Sequence, residues 1–241
     1  RNLANDECEY LEPSLVALYD LYLSFTGGPT LRFIESHYGS PAARHLACSV
    51  DPEAYRPAGS VPAYALGYLG TYSDDRQPAV DRLLFETARR LPMDAFVVAG
   101  ASYPKTLGWP RNVQHVEHVA PREHPAFYCS QRATLNVTRA DMVLAGFSPS
   151  VRLFEAAACG VAIISDRWAE IETYFDPGTE IVLADCSDDV IGTLTELDPR
   201  ELEAIGMRSR ARVLREHTAR ARARELLGFL GEHRGGLRAV G

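Results

Sequence analysis

The run Gly146-Phe-Ser-Pro-Ser150-Val-Arg152-Leu-Phe-Glu155-Ala-Ala-Ala-Cys-Gly160-Val-Ala-Ile-Ile-Ser-Asp166 decides the fold. Ser148 or Ser150 stands where a helix would start, and Gly160 stands where a helix over residues 151–159 takes its left-handed cap. The apolar Val161-Ala-Ile-Ile164 then reads as a buried strand. Outward from this unit the same alternation repeats. Upstream lie strands at 63–69, 95–99, 113–119 and 133–137, with helices at 78–90 and 122–131. The first of these helices is the clearest: Val80, Leu83, Leu84, Thr87, Ala88 and Leu91 share one face, and Pro78 suits its first turn. Downstream come a helix at 169–175, a strand at 180–183, and helices at 190–197, 199–216 and 219–232, with fraying at Gly235–Gly236. Strand–helix alternation of this kind gives an α/β fold, a Rossmann-like parallel sheet with helices on both faces and a helical C-terminus.

Residues 14–57 form a smaller unit. An apolar segment at 15–25 ends as a strand, Gly27-Gly28-Pro29 turns, a helix covers 30–37 and a second strand covers 44–50. Asp51-Pro52, Arg56-Pro57 and Ala58-Gly59-Ser60 read as a linker. The expected division is therefore 1–57 and 58–241. The first part has the look of the last βαβ piece of a larger domain.

The 241 residues are 46% hydrophobic and 24% charged, enough to bury a core. A net charge of −7 argues against a general nucleic-acid binder. The arginines of the last helices are offset by Glu201, Glu203, Glu216 and Glu225, as on a solvated face. No apolar run is long enough for a membrane span, and no signal-peptide pattern opens the chain. Cys8, Cys48, Cys129, Cys159 and Cys186 are scattered without a Cys-x-x-Cys pair, which suggests a reduced, cytoplasmic setting.

Ligands of open parallel sheets bind beyond the carboxyl ends of the strands. The segments that follow the expected strands are Gly67-Tyr-Leu-Gly70-Thr71-Tyr-Ser-Asp-Asp-Arg76, Gly100-Ala-Ser-Tyr103, His118 to Pro121, Thr138-Arg139, and Ser165-Asp166-Arg-Trp168. Small residues, hydroxyls and arginines gather there, which fits a phosphate-bearing ligand. The amides of the helix starting at Ser148–Val151 add a dipolar anion site. Glu155 lies one turn inside that helix, in an otherwise apolar run, and needs a partner. A ribose diol would serve; so would a nearby backbone group, Arg139 or Arg152.

Other chemistries lack their signatures. There is no Gly-x-Gly-x-x-Gly after the first strand, no Gly-Lys-Ser/Thr loop, no nucleophile elbow and no Asp-x-Asp. His115 and His118, three apart on an expected strand, point to opposite faces. Cys159, inside a helix, reads as a packed thiol. No metal and no cofactor are expected.

Leu135-Asn136-Val-Thr138-Arg139, the opening run, Ser165-Asp166-Arg-Trp168, Glu172, Phe175-Asp-Pro-Gly178, Glu180 and His217-Thr218-Ala219 together resemble the CgeB-type, spore-maturation-protein-like group of GT-B glycosyltransferases. The resemblance covers about residues 60–230 and is most specific over 135–180. It implies a two-domain enzyme whose C-terminal domain holds a nucleotide-sugar donor, with an unknown acceptor on the N-terminal side. By position it assigns Glu155 to the donor ribose and the Ser148–Val151 helix start to the diphosphate. Arg76, after Gly70 and Thr71, falls on the same diphosphate, Arg139 and Arg152 line the pocket, and Val116–His118 lie near the base. It names no catalytic residue. The wider group 1 pattern pairs two glutamates eight apart, and Phe147 stands where the first would be. Three activities stay open: metal-independent glycosyl transfer, nucleotide-sugar binding without catalysis, and nucleotide-sugar epimerisation. A cleft face left bare by a missing acceptor domain would favour self-association.

Overall fold

The computed structural model describes residues 12–59 and 61–239, so Cys8 and Ser60 lie outside the described residues. A short helix α1 (Pro13–Val16) leads into β1 (Tyr22–Ser24), α2 (Pro29–Tyr38) and β2 (Ala43–His45). β1 and β2 pair in parallel, closing the expected βαβ unit. It has its own small core of Val16, Ile34, Tyr38 and Ala43.

Next come β3 (Tyr64–Leu69), α3 (Gln77–Val80), a π-helical turn (Asp81–Phe85) and α4 (Glu86–Arg90), which run on without a break after β3's loop. The wide π turn lets the consecutive Leu83, Leu84 and Phe85 all be buried, which one stripe of a regular α-helix does not allow. β4 (Phe96–Ala99), β5 (Val113–Val116), α5 (His124–Cys129), β6 (Gln131–Asn136), α6 (Ala140–Ala145), α7 (Val151–Ala158), β7 (Ala162–Ser165) and β8 (Val182–Leu183) complete the sheet region. Three helices end the chain: α8 (Ser187–Thr195), α9 (Pro199–Glu216) and α10 (Ala219–Ala239).

The six strands form one parallel sheet in the order β5-β4-β3-β6-β7-β8. Both faces are covered. Leu66, Tyr68, Leu135 and Ile164 pack on one side with Leu83, Leu84 and Phe85, while Ile163 packs on the other with Leu153, Phe154 and Phe175. The strand order reverses between β3 and β6, and that switch point opens the crevice where ligands of such sheets sit.

The structure corrects several expectations. The helix expected over 169–175 is one 3-10 turn, Ile171–Thr173. Trp168, Ile171 and Tyr174 recur every third residue and are all buried, a spacing that the tighter turn satisfies. The strand expected over 44–50 ends at His45; Val50 instead bridges Thr218 between α9 and α10, its N–H donating to the His217 carbonyl at 3.1 Å. β5 ends at Val116, so His118 lies in a loop and the alternation of faces does not apply to it. α5 stops at Cys129, leaving Gln131 to open β6. α6 is an addition to the expected elements: Ala-Asp-Met-Val-Leu-Ala is too short to carry a helical period. α10 stays helical through Gly235 and Gly236. Gly160 does adopt the left-handed cap, with φ 73°.

Among the described residues no helix is long and apolar enough to cross a membrane.

Candidate functional site

The crevice is built from the ends of β3 and β6 and the start of α7. Arg152, on the first turn of α7, points beneath this edge and is 9% exposed. Its Nε donates to the Leu69 carbonyl at 2.6 Å and its Nη1 to Asn136 Oδ1 at 3.0 Å, with the guanidinium 5.0 Å from the Tyr68 ring centroid. Asn136 passes the bonding on, donating to Ser165 Oγ at 2.9 Å and to Thr138 Oγ1 at 3.3 Å. Asp166 closes the network by accepting from the Thr138 N–H and hydroxyl, both at 2.9 Å. Burial pushes the Asp166 carboxyl above its ordinary range, against the Thr138 and Ser165 bonds and the Arg152 charge.

Above this floor lie two further arginines. Arg76 donates from Nε to Ser73 Oγ at 2.9 Å and from Nη2 to the Thr71 carbonyl at 2.5 Å, which holds the loop after β3 in place. Burial lowers its pKa, and the Arg152 and Arg139 charges push the same way. Arg139 is the exposed N-cap residue of α6, and its guanidinium makes no hydrogen bond or ion pair among the described residues. Asp75 faces both: burial works against its charge, but bonds from Ser73 and the Ala140 N–H and the two arginine charges hold it below the carboxylate range. Three arginines thus lie close enough at one edge to feel one another's charge, with Asp75 beside Arg76 and Arg139, and Asp166 near Arg152.

The remaining positions divide. Gly70 takes the turn after β3, its N–H on the Ala99 carbonyl and its carbonyl accepting from Tyr103, while Thr71 is exposed beside it. Ser150 is the extended residue before α7 and Val151 is exposed on its first turn. The Leu153 N–H turns back to the Ser150 carbonyl at 3.1 Å, while the N–H groups of Val151 and Arg152 precede the first intrahelical bond. Ser148 is buried and bonded to Thr26 Oγ1 at 2.9 Å, so its hydroxyl ties the βαβ unit to the site. Phe147 adopts φ 51°, its carbonyl accepts from the Gly27 N–H at 3.0 Å, and a side chain at Gly28 (φ +59°) would overlap its ring. The position of the missing glutamate is therefore a packing contact across the seam.

Glu155 meets neither Arg139 nor Arg152. Its Oε2 accepts from the Tyr128 hydroxyl at 2.9 Å and lies 3.9 Å from His124 Nδ1. The Tyr55 hydroxyl stands 3.4 Å from the same Nδ1 and within reach of the carboxylate. His118 is exposed in the loop after β5, whose Val119 carbonyl bonds His124 Nε2 at 3.2 Å. Sequence reasoning does not single out Tyr128 or His124, and it names the segments of Asn136, Thr138, Ser165 and Asp166 without their bonding to one another. Among the described residues no cluster of His, Cys, Asp and Glu could hold a metal ion.

Residues 76–228 match the glycosyl transferase-like family, more than half of the chain. The chain belongs to that family. No curated protein matches this glycosyltransferase-family chain. Solved structures do. A sucrose-phosphate synthase from Thermosynechococcus elongatus is 15% identical with a TM-score of 0.69, over 95% of this chain and 61% of that one. Anabaena HepE, in complex with UDP and glucose, is 12% identical with a TM-score of 0.71, over 93% and 68%. The pneumococcal O-GlcNAc transferase GtfA, in complex with UDP and GlcNAc, is 11% identical with a TM-score of 0.64, over 89% and 45%. The parallel sheet and its helices therefore match GT-B glycosyltransferase architecture, and this chain spans about three-fifths of the length of the synthase.

Proposed function

We propose that this chain carries the donor side of a metal-independent glycosyltransferase that moves a sugar from a nucleotide diphosphate sugar to an acceptor, within the CgeB-type branch that its motifs resemble. The observation that carries this reading is the convergence of Arg76, Arg139 and Arg152 on the switch point, beside the start of α7. A diphosphate placed there would neutralise charges that otherwise repel each other. As the glycosidic bond breaks, negative charge grows on the leaving diphosphate. Arg76, Arg139 and the first amides of α7 would meet that charge electrostatically. Arg152 acts from below, fixing Leu69 and Asn136 in place while adding its own charge. Neighbours bound to UDP and a sugar support the ligand class.

A second reading, binding without transfer, is favoured by Phe147, which stands in place of the sugar-contacting glutamate of the wider group and is committed to the Gly28 contact. One experiment separates them. Thermal-shift titration with UDP, GDP, dTDP and ADP, followed by an assay for nucleotide release from the matching sugar nucleotide, tests both. Stabilisation by a diphosphate with release supports transfer; stabilisation without release supports the binding module. No shift with any nucleotide would overturn the donor-site reading, because a ligand at a hundredfold excess over Kd adds about 2.7 kcal/mol.

A further inference from the structure

The contacts of Glu155 point to positioning residues that the motif alone does not name. Glu155 has a side chain 15% exposed on α7, while Tyr128 is fully buried at the end of α5. These helices are separate pieces of chain, yet the phenol donates to Oε2 at 2.9 Å. The His124 ring, one turn earlier on α5, approaches the same oxygen. Its other nitrogen bonds the Val119 carbonyl, in the loop after β5. The Tyr55 hydroxyl stands 3.4 Å from His124 Nδ1 and is also within hydrogen-bonding reach of the Glu155 carboxylate. The Tyr128 phenol therefore fixes Oε2, with the His124 ring 3.9 Å from the same oxygen.

We infer that Tyr128, with His124 behind it, is a positioning residue that orients the Glu155 carboxylate toward the donor ribose and couples it to the Val119 loop. This rests on the donor-site reading above. A phenol suits that role, since burial and the Glu155 charge raise its pKa well above the ordinary value and keep it a hydrogen-bond donor. A carboxylate with one oxygen held in this way loses little rotational freedom when the ligand arrives, so the ribose bond keeps more of its strength.

The test compares ribose with 2′-deoxyribose. Affinities of the whole chain for UDP, GDP, CDP and ADP, each beside its 2′-deoxy counterpart, are measured by calorimetry for wild type, Glu155→Gln, Tyr128→Phe and His124→Asn. Wild type is expected to prefer the ribonucleotide roughly tenfold, about 1.4 kcal/mol. Glu155→Gln should erase the preference. Tyr128→Phe should cut it to roughly threefold or less with deoxynucleotide affinity unchanged, and His124→Asn should cut it less. His124 is partly exposed, so its variant tests the idea even if Tyr128→Phe does not fold. Loss of ribo- and deoxynucleotide affinity in equal measure means a merely structural role and overturns the inference. So does a preference that Glu155→Gln erases but Tyr128→Phe and His124→Asn leave intact, and the donor site then survives. A wild type that binds no nucleotide fails the donor-site reading itself, and the inference with it.

Discussion

The floor and the mouth of the crevice are made of the same kinds of residue but are finished differently. On the floor, Arg152, Asn136, Thr138, Ser165 and Asp166 are buried and bonded to one another, with the Leu69 carbonyl at one end. At the mouth, the Arg139 guanidinium is exposed and makes no hydrogen bond or close ion pair among the described residues. Arg76 bonds neutral oxygens of its own loop, and Asp75 faces both. Buried polar groups must be satisfied inside the protein, and a closed network holds the strand ends rigid. An exposed cation such as Arg139 needs no internal partner, and its charge stays available, whereas the half-buried Arg76 is held by its own loop. An arginine beside a ligand edge can thus be scaffold or contact, and burial together with partners tells which.

Two measurements put this contrast at risk, and a third tests stability away from the crevice. The largest effect belongs to the floor. Arg152→Met strips donors from the Leu69 carbonyl and Asn136 and a counter-charge from Asp166, and should cost about 3 kcal/mol of stability in urea denaturation. A cost below about 1 kcal/mol would make Arg152 a surface-like contact after all.

His217 supplies an independent lever, remote from the mouth. It is buried against Phe154 and bonded to Arg222, and burial, followed by the Arg222 charge, lowers its pKa to about 4. The native state therefore binds fewer protons than the unfolded one between pH about 4 and 6.5. Stability is full above that window and is lost as pH falls through it, by roughly 2–3 kcal/mol. His45, lowered chiefly by burial, adds in the same direction. Denaturation midpoints at pH 7 and pH 5 should differ, and His217→Gln should flatten the difference. An unchanged slope in that variant would remove His217 as the cause.

The smallest change in stability belongs to the mouth. Arg139→Ala should alter the unfolding free energy by less than about 0.5 kcal/mol. Its nucleoside diphosphate affinity should nevertheless fall roughly five- to tenfold, with a weaker salt dependence. Equal binding by variant and wild type would move the diphosphate away from α6.

Much of the fold is legible in the chain. The α/β alternation, the turn at Gly28-Pro29, the Gly160 cap and the bounds of α9 follow from short-range patterns, and the structure reproduces them. The candidate site is legible as a set of segments: Gly70, Thr71 and Arg76 follow β3, Arg139 follows β6, and Ser150, Val151 and Arg152 start α7. The roles within it are not. Arg152 and Arg139 look alike in sequence, and only the packing of α7 under β3 buries the first. Ser148 reads as a helix-start hydroxyl, but its partner Thr26 lies in the other unit, 122 residues away. Glu155 has several candidate partners along the chain, and it takes the one from α5.

The set of elements and their order are therefore written locally, because helix and strand periods, caps and turns are settled by neighbours a few residues apart. Which polar groups are closed off and which stay open is settled only by the packing. That depends on contacts between segments far apart in the chain, such as Arg152 with Leu69, Tyr128 with Glu155 and Phe147 with Gly28. A polar side chain takes its role from whether water or protein satisfies it, and the folded arrangement alone sets that.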